Sequence, residues 1–513
     1  METHPLIADF DRCYRAMTSH DARFDGRFFV AVTTTGIYCR PICPAPMPHA
    51  SHVRFYLCAA AAEAAGFRAC RRCHPEASPG SAEWNARADL VARALRLIAD
   101  GVADTEGVAG LAQRLSVSVR HLHRELTAEV GVGPLALART RRAQAARVLI
   151  AQTDLPLATI AFTAGFASIR QFNQTMQAAF DCPPSAFRRQ PQTEARGEGK
   201  LSLRLSYRPP LDIALLLAYF QRRALLGVEE VSETSYRRTV RLPASRGIVE
   251  LEPAKKGHAI LMQVRLDTLR DLNVLVQRCR HLFDLDAAPM AVVNVLGADS
   301  MLAPLVATHP GLRVPGAIDG FEIAVRAILG QQVSVAGART LVGRLVMAFG
   351  EPIEQPQGAL THYFPTPLAI AQANLEGYGL TRSRITALQA LARSIVERRL
   401  VLDRSADWEE AQARLQEIPG IGPWTAAYIS MRALGNPDAF PATDLGLRQA
   451  FEQQGAAADA RLIERRAESW RPWRAYAAQY LWASLPVTQP LRQRLPQRQR
   501  GRVAHVARAA SYS

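Results

Sequence analysis

Four cysteines, Cys39, Cys43, Cys70 and Cys73, form a C-x3-C pair and a C-x2-C pair separated by 26 residues. Zinc prefers tetrahedral thiolate or imidazole ligands, and two short cysteine pairs joined by a loop are the usual supply. Far downstream stands an unrelated signature, IPGIGPWTAAY, from Ile418 to Tyr428, with Asp444 beyond it. Pro419, Gly420, Ile421 and Gly422 suit a tight turn between two helices, because glycine permits close backbone approach and unusual dihedrals. The helix that follows would offer free N–H groups to a phosphate. One chain thus carries two separate chemistries.

Each has a plainer reading. A zinc ion can be closed and structural, stapling a small domain. His49, His52 and His74 lie near enough in sequence to replace a sulfur. Redox chemistry fits less well, since a lone redox pair leaves the second pair unexplained. A PGIG turn also joins ordinary helical hairpins. Asp444 precedes LGLRQAF and can serve as a helix N-cap, a role compatible with chemistry. Trp424, Tyr428 and Trp482 can be core packing or the lining of a pocket.

The elements that must position these groups follow from the pattern around them. FFVAVTTTGIYCR (Phe28 to Arg40) is β-branched and aromatic and reads as a strand ending at the first cysteine. From about 86 to 189 the pattern is helical. In GVAGLAQRLSVSVRHLHREL (Gly107 to Leu126), Leu111, Ala112 and Leu115 face inward. Val119, Leu122 and Leu126 repeat on a second helix and leave Arg120, His121 and Arg124 outside. LPLATIAFTAGFASIRQFNQTMQAAF (Leu155 to Phe180) repeats the plan. Gly165 suits its turn, Phe172, Met176 and Phe180 mark a buried face, and Arg170, Gln171, Asn173 and Gln174 stay outside. Side chains of that type read base edges in a major groove, although two plain helical hairpins would show the same periodicity. PQTEARGEGK (191–200) lacks apolar anchors and reads as a linker. Residues 201–285 mix strand and helix signals, and 286–490 are mostly helical. The tail 491–513 holds six arginines and no acid and is expected to be disordered.

Length and charge bound the rest. A chain of 513 residues calls for three or four domains. Lys and Arg total 62 against 46 acids, a net charge of +16, which favours a polyanionic partner through counterion release; an anionic membrane or plain solubility would also fit. No apolar run reaches the roughly 20 residues of a membrane span. The segment METHPLIADFDRC has acids and no basic n-region, so no signal peptide is expected. Eight cysteines, four of them clustered, point to a reducing compartment and a metal rather than to disulfides.

TTGIYCRPIC (Thr34 to Cys43) with GFRACRRCHP (Gly66 to Pro75) resembles the N-terminal domain of the Ada family of alkylation-repair proteins, over about 8–77. The resemblance implies one zinc ion held by Cys39, Cys43, Cys70 and Cys73, both structural and activating. It also implies a Cys39 thiolate that takes the methyl group of a DNA methylphosphotriester once per molecule. Arg40, Arg68, Arg71 and Arg72 would hold the phosphate. Methylation would change the site from −2 to −1 and so raise DNA affinity. Residues 86–189 look like the AraC family of activators, whose recognition helices would place Arg120, Arg124, Arg170, Gln171 and Asn173 on DNA. FEIAVRAILGQQVSV (Phe321 to Val335), the PGIG hairpin, FPATDLGLRQAF (Phe440 to Phe451) and SWRPWRAYAAQYLW (Ser469 to Trp482) resemble the AlkA-type 3-methyladenine DNA glycosylases II of the helix-hairpin-helix superfamily, over about 201–485.

That last resemblance makes Asp444 the catalytic aspartate and puts Trp424, Tyr428 and Trp482 around an extruded base, with Gly420 and Gly422 on a phosphate. Gln332 stands where such enzymes insert an apolar side chain. Pro423 and Trp424 follow Gly422 with no Lys, so base excision without strand cleavage is expected. Past Cys182 only Cys279 remains, which excludes an iron–sulfur cluster. No Pro-Cys-His-Arg motif occurs, so the O6-alkylguanine transferase half of full-length Ada is not expected. The reading is a multidomain chain, mainly α with α+β parts. Its domains are a small zinc α/β domain (1–80), a tandem helix-turn-helix domain (86–190), a mixed α/β domain (201–285) and a helix-hairpin-helix all-α domain (286–490). Its partners would be double-stranded DNA, alkylated DNA for repair and promoter DNA for regulation, and RNA polymerase for activation, as a monomer at the nucleoid of a bacterial cytoplasm and away from membranes. The alternative is a regulator whose glycosylase-like half only binds DNA.

Overall fold

The computed structural model describes residues 5–78, 89–188, 201–456 and 458–485. The linker 191–200 and the basic tail 491–513 lie outside the described residues. Near the N-terminus Phe29–Val32 and Ile37–Cys39 pair antiparallel, with Val30 opposite Cys39. Residues 28–40 are therefore a hairpin and not the single strand expected. Thr33 to Gly36 make the turn, with Gly36 at φ +66°. Threonine is as good a strand former as a turn flank, so composition alone hid the reversal. Val53–Tyr56 adds antiparallel to one side and Arg68–Ala69 adds parallel to the other. The order is Val53–Tyr56, Phe29–Val32, Ile37–Cys39, Arg68–Ala69. The Cys70 N–H bonds the Tyr38 carbonyl at 2.9 Å, and this last pairing brings the two cysteine pairs to one end of the sheet.

The next body is helical. Two helix-turn-helix units, Gly107–Arg114 with Val119–Val130 and Leu157–Thr163 with Ile169–Phe180, flank the long helix Pro134–Gln152. Ser118 and Ser168 cap the second helix of each by accepting from the His121 and Gln171 N–H groups. Both second helices bury every fourth residue: Leu122, Leu126 and Val130 in one, Phe172, Met176 and Phe180 in the other. Val119 is 46 % exposed and does not face inward. It is the first residue of its helix, where side chains lean back past the N-terminus and miss the core, and Val130 fills the fourth-residue series instead. Gly165 sits at φ +97°, and a Cβ there would meet Asp104 Oδ2 at 2.7 Å, so the turn requires glycine on both counts.

Five antiparallel strands follow, in the order Leu201–Ser206, Ala259–Leu266, Arg246–Pro253, Tyr236–Arg241, Glu229–Val231. Helices Ile213–Arg223 and Leu272–Leu282 share their core, through Leu216, Phe220, Leu275 and Phe283 against Tyr236, Val249 and Met262. The remaining chain forms two helical cores and one antiparallel strand pair, Pro352–Gln357 with Leu360–His362, so residues 286–490 are not helical throughout as expected. One core is built on Gly320–Leu329, Val335–Phe349, Arg382–Val396, Trp408–Gln416 and Pro423–Ile429. The other is built on Pro289–Leu296, Leu445–Gln453, Ala460–Ala467 and Arg474–Ser484. The chemistry-bearing residues of this half lie on the seam between them.

Candidate metal centre and candidate active site

The four sulfurs of Cys39, Cys43, Cys70 and Cys73 lie within 4.8 Å of one another, and all four residues are buried. A tetrahedron of sulfurs about 2.3 Å from a central zinc has edges of about 3.8 Å, and Cys43 Sγ stands 3.9 Å from Cys70 Sγ. The sulfurs of Cys43, Cys70 and Cys73 crowd Cys39 and push its thiol up. Four thiolates cannot share this space without a cation at their centre, and a divalent ion supplies it. The donor set therefore fits zinc. Backbone N–H groups of Arg40 and Arg72 point at Cys73 Sγ and Cys70 Sγ, each at 3.4 Å.

The arginines expected at a phosphate are distributed unevenly. Arg40 pairs with Asp25 and donates to the Cys73 carbonyl at 3.2 Å. Arg68 pairs with Asp181, and Arg71 donates at 3.1 Å to the Phe180 and Asp181 carbonyls at the C-terminus of Ile169–Phe180. Arg72 is exposed. So Arg68 and Arg71 dock the cysteine domain onto the second helix-turn-helix unit. On the units themselves Arg120, Arg124, Arg170 and Asn173 are exposed and Gln171 is half-buried. Arg124 is drawn toward Glu125 and His121.

The second centre is assembled from three segments. Trp424 and Tyr428 lie one turn apart on Pro423–Ile429, with rings stacked 5.5 Å apart. Trp482 comes from Arg474–Ser484. Asp444 caps Leu445–Gln453 by accepting the Leu447 N–H at 3.0 Å. The same carboxylate accepts the Trp482 Nε1–H on Oδ1 and the Trp424 Nε1–H on Oδ2, both at 2.8 Å. Three N–H donors fix the half-buried carboxylate between two indoles, beside the cluster of aromatic rings formed by Trp424, Tyr428 and Trp482. Gly446 leaves room for this clamp, since a Cβ there would stand 3.0 Å from Asp444 Oδ1 and 3.1 Å from Trp482 Cδ1.

The hairpin beside the cleft is anchored by buried Ile418 and Ile421, while Gly420, at φ +89°, and Gly422 are exposed. Gln331 Nε2 donates to the Gly420 carbonyl and to Thr425 Oγ1, both at 2.9 Å. That pair of bonds ties the hairpin to the neighbouring loop. Gln332, at its tip, is exposed and left-handed at φ +56°. A backbone strained in this way persists only where its surroundings enforce it, and it projects the Gln332 side chain off the protein.

Known families match four successive stretches. They are the "Metal binding domain of Ada" over residues 12–76, a "Helix-turn-helix domain" over 111–190, the "AlkA N-terminal domain" over 202–319 and the "HhH-GPD superfamily base excision DNA repair protein" over 325–475. A "Probable bifunctional transcriptional activator/DNA repair enzyme AlkA" of Mycobacterium tuberculosis is 50% identical over 487 residues, covering 94% of this chain and 98% of that one. The chain belongs to this bifunctional AlkA family. "DNA-3-methyladenine glycosylase 2" of Escherichia coli is 35% identical over 281 residues, 54% of this chain and 95% of the relative. The "Bifunctional transcriptional activator/DNA repair enzyme Ada" of the same organism is 36% identical over 156 residues, 30% of this chain and 42% of the relative. The bifunctional AlkA architecture accordingly joins, in one chain, the sulfur centre, the paired helical units and the aromatic cleft.

Three residues of the AlkA-type cleft escaped the reading of the sequence: Tyr219, Arg223 and Arg432. Arg432 continues the Trp424, Tyr428 series at the same spacing of four, so a lone arginine in the apolar run TAAYISMRAL was the available signal. It is 1 % exposed and donates to the Pro315 carbonyl and Gln479 Oε1, each at 2.9 Å. Tyr219 and Arg223 arrive from Ile213–Arg223 in the sheet domain, more than 200 residues from the rest, and no local pattern could have announced them. Among the described residues no helix is long and apolar enough to cross a membrane.

Proposed function

We propose that the chain senses and repairs DNA alkylation by two routes and reports the first to promoters. In the cleft, an N-alkylated purine such as 3-methyladenine is rotated out of the duplex and held against Trp424, Tyr428 and Trp482. Its positive charge already weakens the glycosidic bond, so the enzyme's main task is the sugar. Asp444 meets the oxocarbenium-like C1′ as it forms and orients the water that attacks it. The observation that carries this reading is the clamp: a carboxylate held by two indole N–H groups at the edge of an aromatic cleft, next to an exposed glycine hairpin. With no lysine in the hairpin, the product is an abasic site with an intact strand.

At the sulfur centre Cys39 Sγ forms a bond to the methyl carbon of a methylphosphotriester as the O–CH3 bond breaks, leaving a phosphodiester and a thioether. A zinc ion on the four sulfurs would keep Cys39 deprotonated at neutral pH. Losing one negative charge at this centre then favours the DNA backbone, and the paired helical units bind a promoter and recruit RNA polymerase from a monomer.

Both halves are tested on one alkylated duplex. Asp444→Asn should cut release of free 3-methyladenine by on the order of 10²–10³-fold, and a wild-type rate in that variant would remove Asp444 from the chemistry. The Cys39 peptide should gain one methyl group, measured by mass spectrometry, and Cys39→Ser should gain none. A methylated duplex that leaves the Cys39 peptide unchanged would leave the centre a structural one.

A further inference from the structure

Between the aromatic cluster beside Asp444 and the hairpin lie four arginines that no acid neutralises. Arg222 and Arg223 end helix Ile213–Arg223 of the sheet domain. Arg223 Cζ lies 4.0 Å from the Tyr219 ring centroid, and the same guanidinium donates to the Tyr219 carbonyl at 3.4 Å. Tyr219 Oη in turn lies 3.3 Å from Tyr428 Oη. Arg339, exposed on Val335–Phe349, donates its Nε–H to the Ala224 carbonyl at 2.9 Å, just past the end of the sheet-domain helix. Arg384 donates to the Gln331 carbonyl, and the Gln331 side chain reaches the Gly420 carbonyl of the hairpin. A line of contacts thus runs from Tyr428 through Arg223 and Arg339 to the loop that carries Gln332, and on to the hairpin. Among the described residues none of the four arginines pairs with a carboxylate. The acids at this junction are already taken: Arg326, which donates to the Arg223 carbonyl at 3.2 Å, holds Glu229 and Glu322. Arg223 and Arg339 each spend one N–H on a backbone carbonyl and keep the other donors of a five-donor fork. Burial, and then the Arg223 charge, hold Arg222 below the ordinary arginine value. Like charges set side by side repel until an anion comes between them, and an anchored, unpaired guanidinium matches the oxygens of a phosphate.

We infer that the sheet domain is part of the DNA-binding surface, with Arg222, Arg223 and Arg339 gripping phosphates of the duplex beside the lesion. The inference rests on the glycosylase reading and deepens it: the backbone is held at a second place, off the hairpin, by a domain whose helix otherwise lends the site only Tyr219. The ligand is the phosphate and not the base. A free guanidinium facing a cationic N-alkylated purine would repel it, whereas the phosphates on either side of the same nucleotide carry the opposite charge. Contacts of this kind fix the register of protein on DNA and carry no sequence information, as suits damage that can fall next to any base. Each phosphate neutralised also adds about 0.9 to the slope of log K against log salt, which makes the contact countable.

The probe is a duplex without promoter sequence that carries one tetrahydrofuran abasic analogue, bound by the full-length protein across a salt series. In Arg222→Gln/Arg339→Gln the slope should fall by about 1–2, and Kd at low salt should rise by on the order of 10-fold. Arg222→Lys/Arg339→Lys should restore the slope, which a purely structural role would not. Single methylphosphonates placed in turn around the analogue, on each strand, remove one phosphate charge at a time. At the gripped positions they should weaken the wild-type protein by on the order of 10-fold and leave the double glutamine variant unchanged. On an alkylated duplex that variant should lose base release through the half-saturating DNA concentration rather than through the rate at saturation. A slope equal to wild type, a loss confined to the rate at saturation, or methylphosphonates that weaken both proteins alike at every position would overturn the inference. The binding measurements decide it whether or not a base is released, whereas a wild-type protein that releases no 3-methyladenine would remove the glycosylase reading instead.

Discussion

Asp444 performs two jobs that substitution can separate. As N-cap it accepts the Leu447 N–H, and as the cleft carboxylate it accepts two indole N–H groups. Asparagine caps helices about as well as aspartate, while alanine costs about 1 kcal/mol. Asp444→Asn should therefore lose base release while keeping the cap, and its stability loss should be confined to the one indole N–H that the amide nitrogen cannot accept. Asp444→Ala should lose the same activity and in addition about 1 kcal/mol, read from denaturant midpoints. The cap was legible in DLGLRQAF, whereas the indole partners were not, because hydrogen bonds across 20 and 38 residues leave no local pattern. A second prediction lies behind the cleft. His281 Nε2–H donates to the Arg432 carbonyl at 3.0 Å, and burial, with the Arg404 charge, pushes its pKa down to about 3. The unfolded chain takes up this proton near pH 6.5 and the folded chain does not. The stability His281 contributes at neutral pH is thus lost as pH falls from about 6.5 toward about 3, amounting to about 2 kcal/mol at pH 5. In His281→Gln the loss of unfolding free energy between pH 7 and pH 5, read from denaturant midpoints, should be smaller by that amount.

At the scale of the element, the helical units show where periodicity succeeds. The spacing of four placed Phe172, Met176 and Phe180 in the core, and all three are at most 3 % exposed. It missed Val119 because a helix's first residue shares the period but not the core. The cysteine hairpin shows the opposite limit: β propensity marked residues 28–40 as extended and could not say where the chain turned back. Gly165 is the element-scale test. Its backbone is left-handed, and a Cβ would press on Asp104, whose carboxylate is held by Arg141 and Arg142. Gly165→Ala should cost about 1–3 kcal/mol. It should tilt Ile169–Phe180 away from Leu157–Thr163, so that promoter footprints disappear while base release from alkylated DNA is unchanged.

Beside the apolar cluster that runs from the helical units into the sheet domain, buried arginines bridge distant parts of the molecule at two further junctions. Arg208, 0 % exposed, donates from the sheet domain to the Asp25 carbonyl and the Asp286 carbonyl, each at 2.8 Å, while the Asp25 carboxylate takes Arg40 beside Cys73. At the other junction Arg96 is buried, lies 5.6 Å over the Trp408 ring and donates to the Arg404 carbonyl. Arg93 next to it donates to the Ser405 carbonyl at 2.9 Å. Neither junction was legible in the sequence, since each arginine sits in an ordinary helical or strand pattern and meets its partner some 80 to 310 residues away. The energetics at Arg96 are one-sided. Its guanidinium is buried and held to about 9 by that burial, so the site tolerates the cation only because a ring face and a carbonyl receive it. Removing the side chain leaves the Arg404 carbonyl and Trp408 without it and opens a cavity at the interface. Arg96→Ala should then weaken the docking of the activator half on the glycosylase half by about 2–4 kcal/mol, with little effect inside either. Calorimetry of the wild-type chain should show the two halves unfolding together, because each supports the other. In Arg96→Ala the single transition should divide into two, the one that spares base release appearing first. A transition that stays single and only moves down would mean that Arg96 stabilises the fold at large, and that the halves are joined elsewhere.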